Sequence, residues 1–280
     1  MQSTYIKPSS NVAQQIGRLL QDLRKQRHLT GEQLANAVGL SQSRISKLEN
    51  GYPEALVPAQ IDSILNILKA PKTIRQQISI MILHRADGSS IQFTHAYDFE
   101  ADATYWDQPV SIYRQFVVNA VSSLVQTTAY REALIRRLGV SEQKVSAQIA
   151  KNVTRQDVLW DASKSFYLVM PEAGLYTLVA DTNVQIAQLD RLERLTDPAH
   201  IHLGIIPMQA GMTFLETGTF ALYDDQILMR IFGDTEIESR ETATILKYLH
   251  TFVELDQKAY YRDDAVTLIR KASDHFRNLL

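Results

Sequence analysis

The chain has 280 residues, 45% of them hydrophobic, no cysteine and a formal charge of −2. Disulfides, thiolate metal sites and cysteine nucleophiles are therefore excluded, and the length calls for one or two domains with a core large enough to fold unaided. The charge is unevenly spread: residues 1–80 hold ten Lys/Arg against five Asp/Glu and the remainder nineteen against twenty-six, so a basic front precedes an acidic body.

The opening "MQSTYIKPSSNVAQQIG" lacks the basic start, apolar core and cleavage site of a signal peptide, and no apolar run reaches the roughly 18 residues that span a bilayer. A soluble, cytoplasmic protein with no membrane partner is expected. Residues to about Ser10 read as an arm. From Asn11 as N-cap, Val12, Ile16, Leu19, Leu20 and Leu23 follow helical spacing up to the basic "RKQR", which suits a helix C-terminus. Thr30 with Gln33 forms a capping box for a second helix through Leu34, Ala35 and Val38, stopped by Gly39. Ser41 caps a third, with Ile45 and Leu48 inward and Gly51 at its end. Pro58 opens a fourth that buries Ile61, Ile64, Leu65 and Leu68, and a fifth follows Pro71.

Between Arg85 and Asp107 the periodicity lapses and a linker or docking loop is expected. Beyond it, helical patterns cover roughly Tyr113 to Leu138 and Ser141 to Gln156. Strand-like runs follow at 165–170, 201–208, 218–223 and 226–232, with helices at 182–196 and from Ser239 onward. The expected fold class is two-domain, an all-α helix-turn-helix bundle followed by a mixed α/β domain ending in helices. The expected divisions are 1–70 for the bundle, 71–111 for a linker helix and loop, and 112–280 for a regulatory domain.

The third helix buries only Ile45 and Leu48, because its other side is polar. At 100° per residue Ser43, Lys47 and Asn50 oppose the buried pair, while Gln42 and Arg44 flank it near the helix start. Gln reads adenine with two bonds, Lys or Arg reads guanine O6 and N7, and Ser bonds a base edge or a phosphate. A helix that enters the major groove needs apolar residues only on its rear. Short polar surface helices are common, so it is the joint pattern of two capped helices around a tight glycine turn that points to a helix-turn-helix.

The stretch "LTGEQLANAVGLSQSRISKLENG" resembles the Xre/Cro family of phage-repressor-like DNA-binding domains over about residues 11–70. That resemblance implies base contacts from Gln42, Ser43 and Lys47 and a base or phosphate contact from Arg44; Asn50, on the same helix face, and Thr30 complete the expected DNA-facing set. It also implies a partly buried ion pair between Arg24 and Glu49 that holds helix three. Gly31 departs from the pattern, since many relatives carry Gln there to clamp a phosphate.

The motifs "RQFVVNAVSSLVQTTAYREALI", "RQDVLWDASKSFYLVMPEAGL", "QIAQLDRL" and "HIHLGIIPMQAG" look like those of the C-terminal domain found behind Xre-type modules in actinobacterial regulators, including WhiJ-like and antitoxin-like ones. The resemblance implies a transcriptional regulator whose second domain senses a small-molecule effector or binds a small partner protein encoded nearby. An antitoxin-like inhibitor with autoregulatory DNA binding is the alternative it leaves open. Gln126, Arg155, Gln156, Glu172 and Gln188 fall inside these motifs as candidates for a polar site, against the simpler reading that Arg155 and Glu172 satisfy one another.

His200 and His202 share one strand face, but no third ligand is spaced to join them, so no metal site or cofactor is expected. No phosphate loop or nucleophile elbow calls for an enzyme. The partners expected are a double-stranded DNA operator and a second copy of the chain, bound on an inverted repeat. The apolar positions Ile245, Leu246, Leu249, Phe252 and Val253 serve either that dimer or packing on the chain's own sheet.

Overall fold

The structure, a computed structural model, describes residues 12–52, 55–84, 90–93, 110–211, 218–232 and 235–280. It divides into two compact units, Met1–Phe93 with Thr235–Glu241, and Thr94–Asp234 with Thr242–Leu280. The expected N-cap Asn11 and the arm before it lie outside the described residues.

The first unit is built from α1 (Val12–Gln26), α2 (Gly31–Val38), α3 (Gln42–Glu49), α4 (Pro58–Ile67) and α5 (Lys72–His84). Each boundary has a local cause. The hydroxyl of Thr30 accepts the Gln33 N–H at 3.1 Å while Gln33 Oε1 accepts the Thr30 N–H at 2.8 Å, completing the capping box of α2. Gly39, at φ 68°, closes α2 in the left-handed conformation that glycine adopts without steric cost. Ser41 caps α3 through the Arg44 N–H, and Pro58 stands in the first turn of α4. Arg75 of α5 donates to the carbonyls of Leu65 and Ala70 at 2.7 and 3.1 Å, tying α5 to the end of α4. Ile16, Leu20, Leu34, Ile45, Leu48, Ile61 and Leu65 form the buried interior. Ser90–Phe93, inside the stretch expected to be a loop, is instead strand β1. It pairs antiparallel with β7 (Thr235–Ser239), and the helix expected from Ser239 starts only at Thr242.

The second unit is a mixed α/β domain. Its strands are β2 (Ile112–Phe116), β3 (Ser165–Pro171), β4 (Ile201–Ile206), β5 (Thr219–Tyr223) and β6 (Ile227–Phe232), ordered β6-β5-β2-β3-β4. β2, β3 and β4 run parallel, whereas β5 and β6 are antiparallel additions. Between β2 and β3 come a short 3-10 turn at Ser123–Val125, α6 (Thr128–Arg137) and α7 (Glu142–Gln156); α8 (Thr182–Arg194) joins β3 to β4. The chain closes with α9 (Thr242–Asp256) and α10 (Arg262–Arg277).

Helices cover both faces of the sheet. On one, Tyr113, Phe166, Leu168 and Leu203 pack with Tyr130, Leu189, Leu192, Ile269 and Phe276. On the other, Phe116, Val169, Phe220 and Leu228 meet Ile245, Tyr248, Phe252 and Leu255 of α9. The residues of β2, Ile-Tyr-Arg-Gln-Phe, place Arg114 and Gln115 side by side in its middle, so the strand shows neither an alternation nor a continuous apolar run. That explains the correction at residues 113–138: Tyr113, Phe116, Val117 and Val121 match helical spacing, yet the segment starts as the central strand β2 and the helix begins only at Thr128. The stripe on α9 divides in the same way, since Ile245 and Phe252 pack on the sheet while Leu246 and Val253 are exposed.

Candidate nucleic-acid interface

The rear of α3 is anchored by Ile45 and Leu48, only 2% and 1% exposed. α1 seats its C-terminal end. A Cβ built on Gly17 would lie 2.6 Å from the carbonyl oxygens of both Leu48 and Glu49, so α1 approaches α3 at a distance only glycine permits. Gly51, at φ 74°, meets the Gln14 backbone in the same way. Beside this contact Arg24 Nε and Nη2 donate to the two carboxylate oxygens of Glu49 at 2.6 and 2.7 Å, and Nη1 donates to the Leu29 carbonyl at 2.7 Å. The hydrogen bond to Glu49 holds the Arg24 guanidinium above its ordinary value. One side chain thus joins α1, the α1–α2 turn and the end of α3.

Of the expected DNA-facing residues, Gln42, Ser43 and Lys47 are exposed on one side of α3, and their side chains make no hydrogen bond to the described residues. The other three are engaged within the domain. Arg44 is half-buried and donates to Gln60 Oε1 and to the Ala55 carbonyl. Asn50 is the C-cap of α3, its amide donating to the Ser46 carbonyl at 2.8 Å, and Thr30 is the α2 cap. Gly31 opens α2 beside the start of α3: its built Cβ meets only Gln42 Nε2, at 3.9 Å.

In the second unit, four of the five polar candidates converge on the irregular segment 121–127. Gln126 donates to the Val121 carbonyl, and Gln156 to the carbonyls of Ser123 and Gln126. Gln188 accepts the Thr127 N–H and donates to the Val125 carbonyl, and Arg155 donates to the Ser123 hydroxyl. Glu172 is elsewhere and does not meet Arg155. Buried at 1% exposure, its Oε2 accepts the Met208 N–H at 3.0 Å and its Oε1 lies 3.7 Å from Lys271 Nζ.

The two histidines have different neighbours. His200, just before β4, reaches the Leu159 carbonyl beside Phe166, while His202, inside β4, stacks on Tyr167. Burial, followed by the charge of Arg262, lowers the pKa of His202. Among the described residues no group of three His, Asp or Glu side chains is placed to hold a metal ion, and no helix is long and apolar enough to cross a membrane.

A family model described as a domain of unknown function, DUF5753, matches residues 97–271, more than half of the chain. The chain belongs to the DUF5753 family. In this DUF5753 protein a second model, described as a helix-turn-helix domain, matches residues 15–77, a stretch that begins within α1, holds α2 to α4 whole and ends within α5. The uncharacterized HTH-type transcriptional regulator RghRB of Bacillus subtilis (strain 168) is 44% identical over 55 residues, 20% of this chain. The match spans 40% of that relative's length. Two solved structures, NucT from Helicobacter pylori and TrmBL2, an archaeal chromatin protein, each share 9% identity at a TM-score of 0.32. They are covered over 98% and 99% of their lengths by 62% and 89% of this chain, and similarity at that TM-score defines neither a shared fold nor a shared function.

Sequence reading of the DUF5753 region missed Gln115, Ser122, Asn152 and Arg191, which complete the network around 121–127. A signal exists in α7. Gln148, Asn152 and Arg155 take its buried positions alongside Val145, so this helix docks largely through hydrogen bonds. In the helix-turn-helix domain the missed residues are Gly17 and Gln60, whose importance lies in contacts with residues distant in sequence.

Proposed function

We propose that this protein is a sequence-specific DNA-binding transcriptional regulator that acts as a cytoplasmic homodimer on an inverted repeat. The observation that carries the reading is the division of α3 into a buried apolar rear and an exposed face of Gln42, Ser43 and Lys47 with no bonds inside the described protein. These are donors and acceptors that match base edges in the major groove, which admits an α-helix. The basic excess over residues 1–80 favours an anionic partner. One such helix contacts few bases, so useful affinity calls for two copies on half-sites about one helical turn apart.

The DUF5753 unit is read as the regulatory part, a sensor of a small molecule or the seat of a small partner protein, and not as an enzyme. The polar side chains around 121–127 are engaged with main-chain groups of their own domain, which speaks against their serving as catalytic groups. The test is selection from a random-sequence duplex pool by the full-length protein. The expected product is an enriched inverted repeat whose half-sites lie about one turn apart. Enrichment of a single unrepeated site would exclude the dimer, and no enrichment would exclude sequence-specific binding.

A further inference from the structure

Arg44 lies in the first turn of α3, where a basic side chain reads at first sight as a DNA contact. Its geometry assigns it elsewhere. The guanidinium donates from Nε to Gln60 Oε1 at 3.1 Å and from Nη2 to the Ala55 carbonyl at 3.2 Å. Ala55 is fully buried in the segment that follows α3, and Gln60 is half-buried in the first turn of α4. A guanidinium presents its donors in a rigid planar fork, so two acceptors fix both the position and the plane of the side chain in a way a lysine ammonium does not. α3 is consequently held at both ends. α1 grips its C-terminal end through Gly17, Gly51 and the Arg24–Glu49 pair, and α4 grips its N-terminal end through Arg44. Gln42 and Ser43 stand immediately before the Arg44 hold and Lys47 lies between the two holds, and all three are exposed.

We propose that Arg44 is a positioning residue, which sets the angle at which Gln42, Ser43 and Lys47 meet base edges and neither reads a base nor holds a phosphate. The proposal rests on the DNA-binding reading above. It gives the specificity of the protein to three side chains and makes Gln60, which is outside α3, part of how that specificity is set.

The experiment uses the full-length protein and the variants Arg44→Lys, Arg44→Ala, Gln60→Ala and the Arg44→Ala/Gln60→Ala double. Thermal unfolding is measured without DNA, and affinity is measured on the selected and scrambled duplexes at two salt concentrations. Both Arg44 variants are expected to lower the Tm and to reduce the preference for the selected duplex by about tenfold, with the salt slope unchanged. Gln60→Ala should move both quantities the same way and add little to Arg44→Ala.

Three results overturn the proposal. The first is Arg44→Lys binding like the wild type while Arg44→Ala flattens the salt slope by about one, which makes Arg44 a phosphate contact. The second is Arg44→Ala relaxing preference at one base pair with the Tm unchanged, which makes it a base reader. The third is full additivity of the Arg44 and Gln60 changes in Tm, which removes the tie itself. A wild type indifferent to DNA sequence is a failure of the underlying reading, and it is seen separately, because the Tm cycle is run without DNA.

Discussion

Gly17 shows how much of this interface depends on the absence of a side chain. Any Cβ there meets two backbone carbonyls at 2.6 Å, and backbone cannot rotate out of the way as a side-chain tip can. Gly17→Ala is therefore expected to cost about 3 kcal/mol by overpacking and to displace the end of α3, lowering both the Tm and the preference for the selected duplex. A wild-type Tm would show that α1 and α3 do not approach as described. Gly31 is the opposite case. A side chain there finds open space beside Gln42, so Gly31→Gln should leave the Tm unchanged and strengthen binding to selected and scrambled duplexes alike, with a steeper salt slope. An unaltered slope would deny the added phosphate contact. The sequence displays both glycines equally, and only the packing separates them.

At the scale of elements, legibility follows the range of the interactions. The helices of the first unit were readable because Thr30, Gln33, Gly39, Ser41 and Pro58 act within a few residues of themselves. β2 was not, because the adjacent Arg114 and Gln115 break any alternation, and its apolar spacing also fits a helix. β1 and β7 were lost for a further reason: they pair across some 145 residues, and nothing local announces it. The motif residues Gln126, Gln156 and Gln188 were found in sequence, but not their task of satisfying an irregular buried segment. Removing the Gln156 amide strands the Gln126 carbonyl and takes the acceptor from Arg191 Nη2, while the Ser123 carbonyl keeps the Asn152 donor. Gln156→Ala should cost about 2–3 kcal/mol in urea unfolding, and a loss below about 0.5 kcal/mol would show that the network is dispensable.

Burial also pushes the Tyr130 phenol of α6 up to about 12. Because the folded value lies above the unfolded one near 10, the contribution of Tyr130 to stability is intact below pH 10 and is lost as pH rises through 12, by about 2–3 kcal/mol in all. Stability measured from pH 9 to 12 should fall less steeply in Tyr130→Phe than in the wild type. Parallel profiles would contradict the burial of that hydroxyl.

At the scale of the whole molecule, two units of different construction share one chain. A bundle whose shape is set by caps, glycines and one ion pair carries the exposed polar face, and an α/β domain whose sheet is covered on both sides carries the DUF5753 match. The division of charge along the chain assigns the anionic partner to the first. The most direct measurement of the central claim is fluorescence anisotropy of the full-length protein on the selected and scrambled duplexes, with the Gln42→Ala/Lys47→Ala double variant as control. The account predicts a preference of about a thousandfold in the wild type. It also predicts loss of most of that preference in the variant at an unchanged Tm, since both side chains are exposed and unbonded to the described residues. Equal binding of both duplexes by the wild type, or an undiminished preference in the variant, would contradict it.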